Sequence, residues 1–142
     1  MRNRLLALLA LAALPAVVES QAREPIGNPS RTLTPAIRVG NMVYTSGQLG
    51  MRRGAEDQSI QAQTRAALDN IKRILEQAGT DMTNVVKCTV FLVEASDFQG
   101  MNEVYAEFFP NSPPARSTVV IKALVVPGAN VEIECQAVMP QR

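Results

Sequence analysis

Residues 60–93 read IQAQTRAALDNIKRILEQAGTDMTNVVKCTVFLV, and the change of period inside this stretch decides the fold. Ile60, Thr64, Ala67, Leu68, Ile71, Ile74 and Leu75 recur at three- and four-residue steps. Gln61, Arg65, Asp69, Lys72 and Glu76 fill the other side, the pattern of an amphipathic helix. Asp57 or Ser59 supplies an N-cap and Gly79 a stop. From Val85 to Val93 the pattern becomes nearly continuous in apolar and β-branched residues, as in a strand buried at the centre of a sheet.

Upstream, Thr34–Val39 and Met42–Gln48 are two β-rich runs joined by Gly40-Asn41, a tight hairpin signal. Downstream, Ser96 and Gln99 have capping-box spacing. They open a second helix with Phe98, Met101, Tyr105, Phe108 and Phe109 on one stripe, ended by Asn111–Pro114. Ser117–Val126 and Val131–Met139 read as the last strands, joined by Pro127-Gly128-Ala129-Asn130. The order is ββαβαββ. With two helices to several strands, an α+β fold is expected, a mixed sheet with both helices on one face. The other face then needs a cover. Its expected residues are Val43, Thr45, Thr89, Phe91, Thr118 and Val120, apolar or small, which points to self-association with a site at the seam.

The 142 residues suit one domain, placed here over residues 24–142. With 46% hydrophobic and 19% charged residues the chain is globular, and with 4% aromatics its core rests on aliphatic side chains. It contains no His, which excludes Ser-His-Asp and Cys-His chemistry and removes the commonest zinc ligand. Neither the two Cys nor any Asp/Glu cluster has ligand spacing, so no metal or other cofactor is expected. A net charge of +1 with no basic run gives no reason to expect a nucleic-acid partner.

Met1-Arg2-Asn3-Arg4 followed by apolar Leu5–Val18 and polar Glu19-Ser20-Gln21-Ala22 has the layout of a secretory signal peptide, residues 1–20, cut after Ser20 or Ala22. The apolar run is shorter than the ~20 residues that span a bilayer, and no Cys follows it for lipidation. A core helix is the bland alternative, but Leu5–Leu14 has no polar face. Export, as to a bacterial periplasm, is the expectation, with no membrane attachment after cleavage. Loss of Arg2, Arg4 and Glu19 takes the net charge from +1 to 0. An oxidising compartment permits a Cys88–Cys135 disulfide. The alternative, and the expectation adopted, is two buried thiols acting as small apolar side chains.

Several polar residues interrupt apolar stretches: Ser46-Gly47-Gln48, Asn102, Arg116, Glu132 and Glu134. Each alone has a structural explanation: a bulge, a solvated helix position, a snorkelling stem, the wet face of a strand. Together they describe a site for a small anion with a reactive carbon. Arg116 would grip a carboxylate with its planar fork, an acidic group would orient water, and hydroxyls would fix the rest. No activated nucleophile is evident, so attack by water is the chemistry expected.

Val43-Tyr44-Thr45-Ser46-Gly47-Gln48, Asn102 with Tyr105-Ala106-Glu107-Phe108-Phe109, Pro114-Ala115-Arg116-Ser117 and Val131-Glu132-Ile133-Glu134 together resemble the RidA (YjgF) family. The resemblance runs over about residues 30–139 in the family's order. It implies a chorismate-mutase-like fold and a homotrimer with a central barrel, helices outside and ligand sites between subunits. It implies hydrolysis of enamines and imines, such as 2-aminoacrylate and 2-imino acids, to a 2-keto acid and ammonia. It places the carboxylate-binding role on Arg116 and water orientation on Glu132. Ligand-lining roles fall on Ser46, Gly47 and Asn102, and Thr118 stands where many members carry Cys. The family's Gly-Pro-Tyr segment, whose Tyr closes the site, is replaced by Arg31-Thr32-Leu33-Thr34, and Tyr44 is not its equivalent. Two other readings use the same residues: a non-enzymatic small-carboxylate-binding module, and an interaction protein such as a holdase. A third family association, RNA cleavage, is disfavoured by the neutral mature charge and the lack of His.

Overall fold

The structure is a computed structural model that describes residues 22–51, 54 and 56–140. The signal peptide expected over residues 1–20 lies outside the described residues. The first four strands are β1 (Arg23–Ile26), β2 (Ala36–Val39), β3 (Met42–Thr45) and β4 (Gln48–Leu49). They are followed by α1 (Ile60–Ala78), β5 (Val85–Leu92), α2 (Phe98–Phe108), β6 (Ala115–Val120) and β7 (Val131–Val138). The sheet runs β1-β2-β3-β7-β5-β6, with β4 on β7 beyond the end of β3. Every pairing is antiparallel except β5 with β6. The expected α+β architecture stands, enlarged by the two short strands β1 and β4.

Helix α1 forms where the period placed it. Ser59 caps it, its Oγ accepting the Ala62 N–H at 3.2 Å, while Asp57 accepts the Ser59 N–H at 2.8 Å. Gly79 ends it in the left-handed region at φ 84°, where a side chain would be strained. Leu68, Ile71 and Leu75 of α1 and Met101 and Tyr105 of α2 bury themselves against Val43, Val90, Leu92, Val131, Ile133 and Ala137 of the sheet. Both helices therefore cover one face. An exposed bidentate pair, Arg65 to Glu107, links them with Nη2–O distances of 2.6 and 2.8 Å. Such a pair contributes no more than about 1 kcal/mol.

Gln63 is buried in α1 and acts as a staple. Its Nε2 donates to the carbonyls of Gln58 and Gly128 at 3.0 and 3.1 Å, and its Oε1 accepts the Asn130 N–H at 2.8 Å. The loop entering β7 is thus fixed to the helix.

Four expectations are corrected. Cys88 and Cys135 are not free thiols. They lie directly opposite each other on β5 and β7, with Cα atoms 4.1 Å apart, and are joined by a disulfide. The bare face is composed differently. Val43 and Thr45 are buried under the helices, because Val43 pairs with Ala137 of the core. Thr118 and Val120 pair with Val90 and Leu92 and also face the helix side. Thr89 and Phe91 do belong to the uncovered face, with Tyr44, Glu132, Glu134 and Gln136. The capping box at Ser96 does not form: a 3-10 turn over Ala95–Asp97 leads into α2, which has no side-chain cap. The strand expected over Ser117–Val126 ends at Val120.

Candidate active site

Arg116 is the second residue of the edge strand β6. It pairs with Cys88, so its side chain rises on the helix side and meets α2. There the guanidinium carbon stands 4.6 Å from the centre of the Tyr105 ring and 5.8 Å from that of Phe98. Among the described residues it forms no salt bridge. Its one donor contact is a weak one, Nη1 to the Met101 sulfur at 3.8 Å. Two aromatic rings thus hold the planar cation in place while leaving its donors for something else.

What it faces is an open cavity of about 400 Å³, lined by Asn102, Tyr105, Phe109, Pro113, Pro114 and Arg116. The helix Asn102 and the strand Arg116 line this one cavity together. Thr118 lies further along the same face of β6 and does not line the cavity. Tyr105 is the residue that sequence reading missed. It counted as core stripe, and most of it is, but its ring is also the platform for Arg116. Its hydroxyl is buried with no hydrogen-bond partner among the described residues. Burial pushes the phenol up to about 12, while the Arg116 charge pulls the other way, so it stays neutral at ordinary pH.

The second group of candidate residues sits elsewhere. After Thr45 the chain leaves the ladder, and the Cys135 N–H is satisfied by Thr45 Oγ1 at 2.9 Å instead of by a backbone carbonyl. Ser46 turns the chain: its N–H donates to the Pro35 carbonyl at 2.9 Å and its hydroxyl to the Thr34 carbonyl at 2.6 Å. Gly47 then passes under Glu132, so close that a Cβ would fall 1.8 Å from Glu132 Oε1. Glycine is needed here for the carboxylate to lie where it does. The neighbour is the tip of a flexible side chain, so Gly47→Ala is expected to leave the melting temperature within a few degrees while displacing Glu132. Any activity that depends on the Glu132 carboxylate should fall about tenfold or more in that variant, and an activity left intact there does not use Glu132 in this position.

Arg116 and Glu132 of one chain look to opposite sides of the sheet. Arg116 shares a face with Cys88 and α2, and Glu132 is paired with Phe91 on the uncovered face. Ser46, Gly47 and Glu132 form one cluster, and Arg116 with Asn102 forms another.

Comparison with known proteins adds the context. The family model described as Endoribonuclease L-PSP matches residues 23–139. The chain belongs to the YjgF/RidA family. Among its relatives, a protein of the goat Capra hircus named 2-iminobutanoate/2-iminopropanoate deaminase is 42% identical over 106 residues, covering 72% of this chain and 77% of the goat protein. The chloroplastic Reactive Intermediate Deaminase A of Arabidopsis thaliana is 40% identical over 107 residues, which are 73% of this chain and 57% of the plant protein. The crystal structure of Rv2704 from Mycobacterium tuberculosis, a YjgF/YER057c/UK114 family member, superposes with a TM-score of 0.75 at 32% identity, over 83% of this chain and all of Rv2704. Within the YjgF/RidA fold of this chain, then, the two clusters of candidate residues lie on opposite faces of one sheet.

Proposed function

We propose that the chain is a hydrolytic deaminase of small 2-imino acids and their enamine tautomers. The observation that carries this reading is Arg116: a guanidinium held by two rings at the wall of a cavity, with its donors unspent. Such a group binds a carboxylate in two-point fashion. Its relatives' names support the chemistry assigned to the carboxylate's neighbour, a C=N bond.

In the proposed reaction Arg116 holds the substrate carboxylate. Glu132 accepts a hydrogen bond from water and aims its oxygen at the imine carbon. A C–O bond forms as one proton of the water passes to the imine nitrogen. The new hydroxyl's proton then passes to the same nitrogen as the C–N bond breaks and C=O forms, so that a 2-keto acid and ammonia leave. No oxidant, reductant or cofactor enters this balance. Since the two side chains of one chain point apart, a complete site takes Arg116 and Asn102 from one copy and Ser46, Gly47 and Glu132 from its neighbour. A closed ring of copies, a homotrimer, provides this arrangement. The uncovered sheet face and the free edge of β6, with exposed Val119 and Val120, favour such an assembly.

The test is ammonia release from 2-iminobutanoate generated in situ, with calorimetry on 2-oxobutanoate alongside. Accelerated release supports the deaminase. Binding without release makes the chain a carboxylate-binding module. We also propose export: the charged, then apolar, then small-residue pattern of residues 1–22 supports it, and so does a disulfide, which persists in oxidising compartments. Recovery of an unprocessed chain from the cytoplasm alone contradicts it.

A further inference from the structure

A second pocket, of about 430 Å³, opens beside Ser46. Arg23 at the start of β1 and Arg31 in the following loop both line it, along with Ser30, Thr32, Thr34 and Ser46. No acidic side chain lines it, and neither Arg forms a salt bridge among the described residues. Two cationic residues in one lining that holds no acidic residue create a positive potential that an anion relieves.

The loop is built and not loose. Ser30 Oγ accepts the N–H groups of Thr32 and Leu33 at 3.3 and 3.0 Å and donates to the Leu33 carbonyl at 3.1 Å. The Ser30 N–H bonds the same carbonyl at 2.8 Å, and Thr34 is anchored by the Ser46 hydroxyl. The pocket is also placed. Arg23 pairs with Val39 and shares its face with Ile37 and Tyr44, the uncovered side on which Glu132 lies. Ser46, which lines the pocket, is followed directly by Gly47 under Glu132.

We infer that Arg23 and Arg31 form a subsite for a second carboxylate, so that the preferred substrate is a 2-imino dicarboxylic acid. This rests on the deaminase reading for the reaction, but the subsite itself is a matter of binding. The α-carboxylate goes to Arg116 of the neighbouring copy, the imine carbon lies by Glu132, and the distal carboxylate extends past Ser46 to the two guanidiniums. Charge-assisted hydrogen bonds at a partly exposed site of this kind change affinity by about tenfold, and less at high salt.

The experiment is calorimetry of the full assembly with two stable keto acids, 2-oxoglutarate and 2-oxobutanoate, at low and high salt. The expected result is about tenfold or greater preference for the dicarboxylate, shrinking with salt. Arg31→Ala should lower 2-oxoglutarate affinity about tenfold more than 2-oxobutanoate affinity, and Arg31→Gln should do the same if the alanine variant folds poorly. Equal affinity for the two acids, no binding of the dicarboxylate, or an equal loss on both in the variants overturns the inference. Ammonia release from 2-iminobutanoate is read separately. The same assay is run on the imine of 2-oxoglutarate. Turnover of either imine without dicarboxylate preference in binding overturns the subsite alone, and preference in binding with turnover of neither imine overturns the deaminase and keeps the subsite.

Discussion

Arg116→Ala is expected to lower kcat/KM for a 2-imino acid by about 100-fold or more, the equivalent of losing ~3 kcal/mol of charge-assisted, two-point binding. Among the described residues its donors are committed to no acidic partner, so their removal strands no buried carboxylate there. What is lost structurally is the contact with the Tyr105 and Phe98 rings, worth about 1 kcal/mol. Stability should therefore change little while activity collapses. Arg116→Lys keeps the charge but loses the planar fork and the stacking, so it should recover only a small part of the activity. The measurement is steady-state ammonia release, with a thermal melt to confirm folding. An alanine variant within threefold of wild type would falsify the role given to Arg116.

Removal of the Cys88–Cys135 bond is expected to cause the largest loss of stability. The two residues are 47 apart in sequence, and loop-closure entropy for a span of that length amounts to about 4 kcal/mol. Real disulfides deliver less, so a loss of ~2–4 kcal/mol is expected, a fall in melting temperature of about 10 °C for a domain of this size. The Cys88→Ala, Cys135→Ala double variant should melt at the lower temperature with or without reductant, and reduced wild type should approach it. Reduction confirmed by thiol titration with no shift in melting temperature would contradict a stapling role. Both sulfurs are buried between β5 and β7, so complete reduction should require partial unfolding.

Much of the fold was legible because the period of the apolar residues changes sharply along the chain. Ile60–Leu75 and Val85–Leu92 declare a helix and a buried strand without help from tertiary structure. Strand parity was less legible. Met42-Val43-Tyr44-Thr45 carries apolar side chains on both faces, so alternation does not tell which side meets the core. Only the pairing of Val43 with Ala137 decides it. The cysteine bond was hidden for the same reason, since it depends on the register between β5 and β7. Strand β4 has only two residues and offers no period at all.

At the site, Arg116, Asn102 and Glu132 stand out as polar interruptions of apolar runs. Tyr105 did not, because a tyrosine in a buried stripe looks like core whether or not a cation rests on its ring. Phe98 was assigned to the same buried stripe but is 46% exposed, standing over Arg116. Arg23 and Arg31 belong to a strand start and a loop, and nothing in their spacing announces that they share a hollow. The separation of Arg116 and Glu132 onto opposite faces follows from the registers of β6 and β7 on β5, which the linear sequence does not display.

That separation permits a direct test. Arg116→Ala and Glu132→Gln chains, each inactive alone, are unfolded together, mixed in equal amounts and refolded, and ammonia release is measured. If each site draws its guanidinium from one copy and its carboxylate from the next, random assembly makes about a quarter of the sites whole. Activity near that fraction of refolded wild type is the expected result. A mixture as inactive as its two components, with mixed assemblies demonstrated by mass, would show that no site is shared between copies.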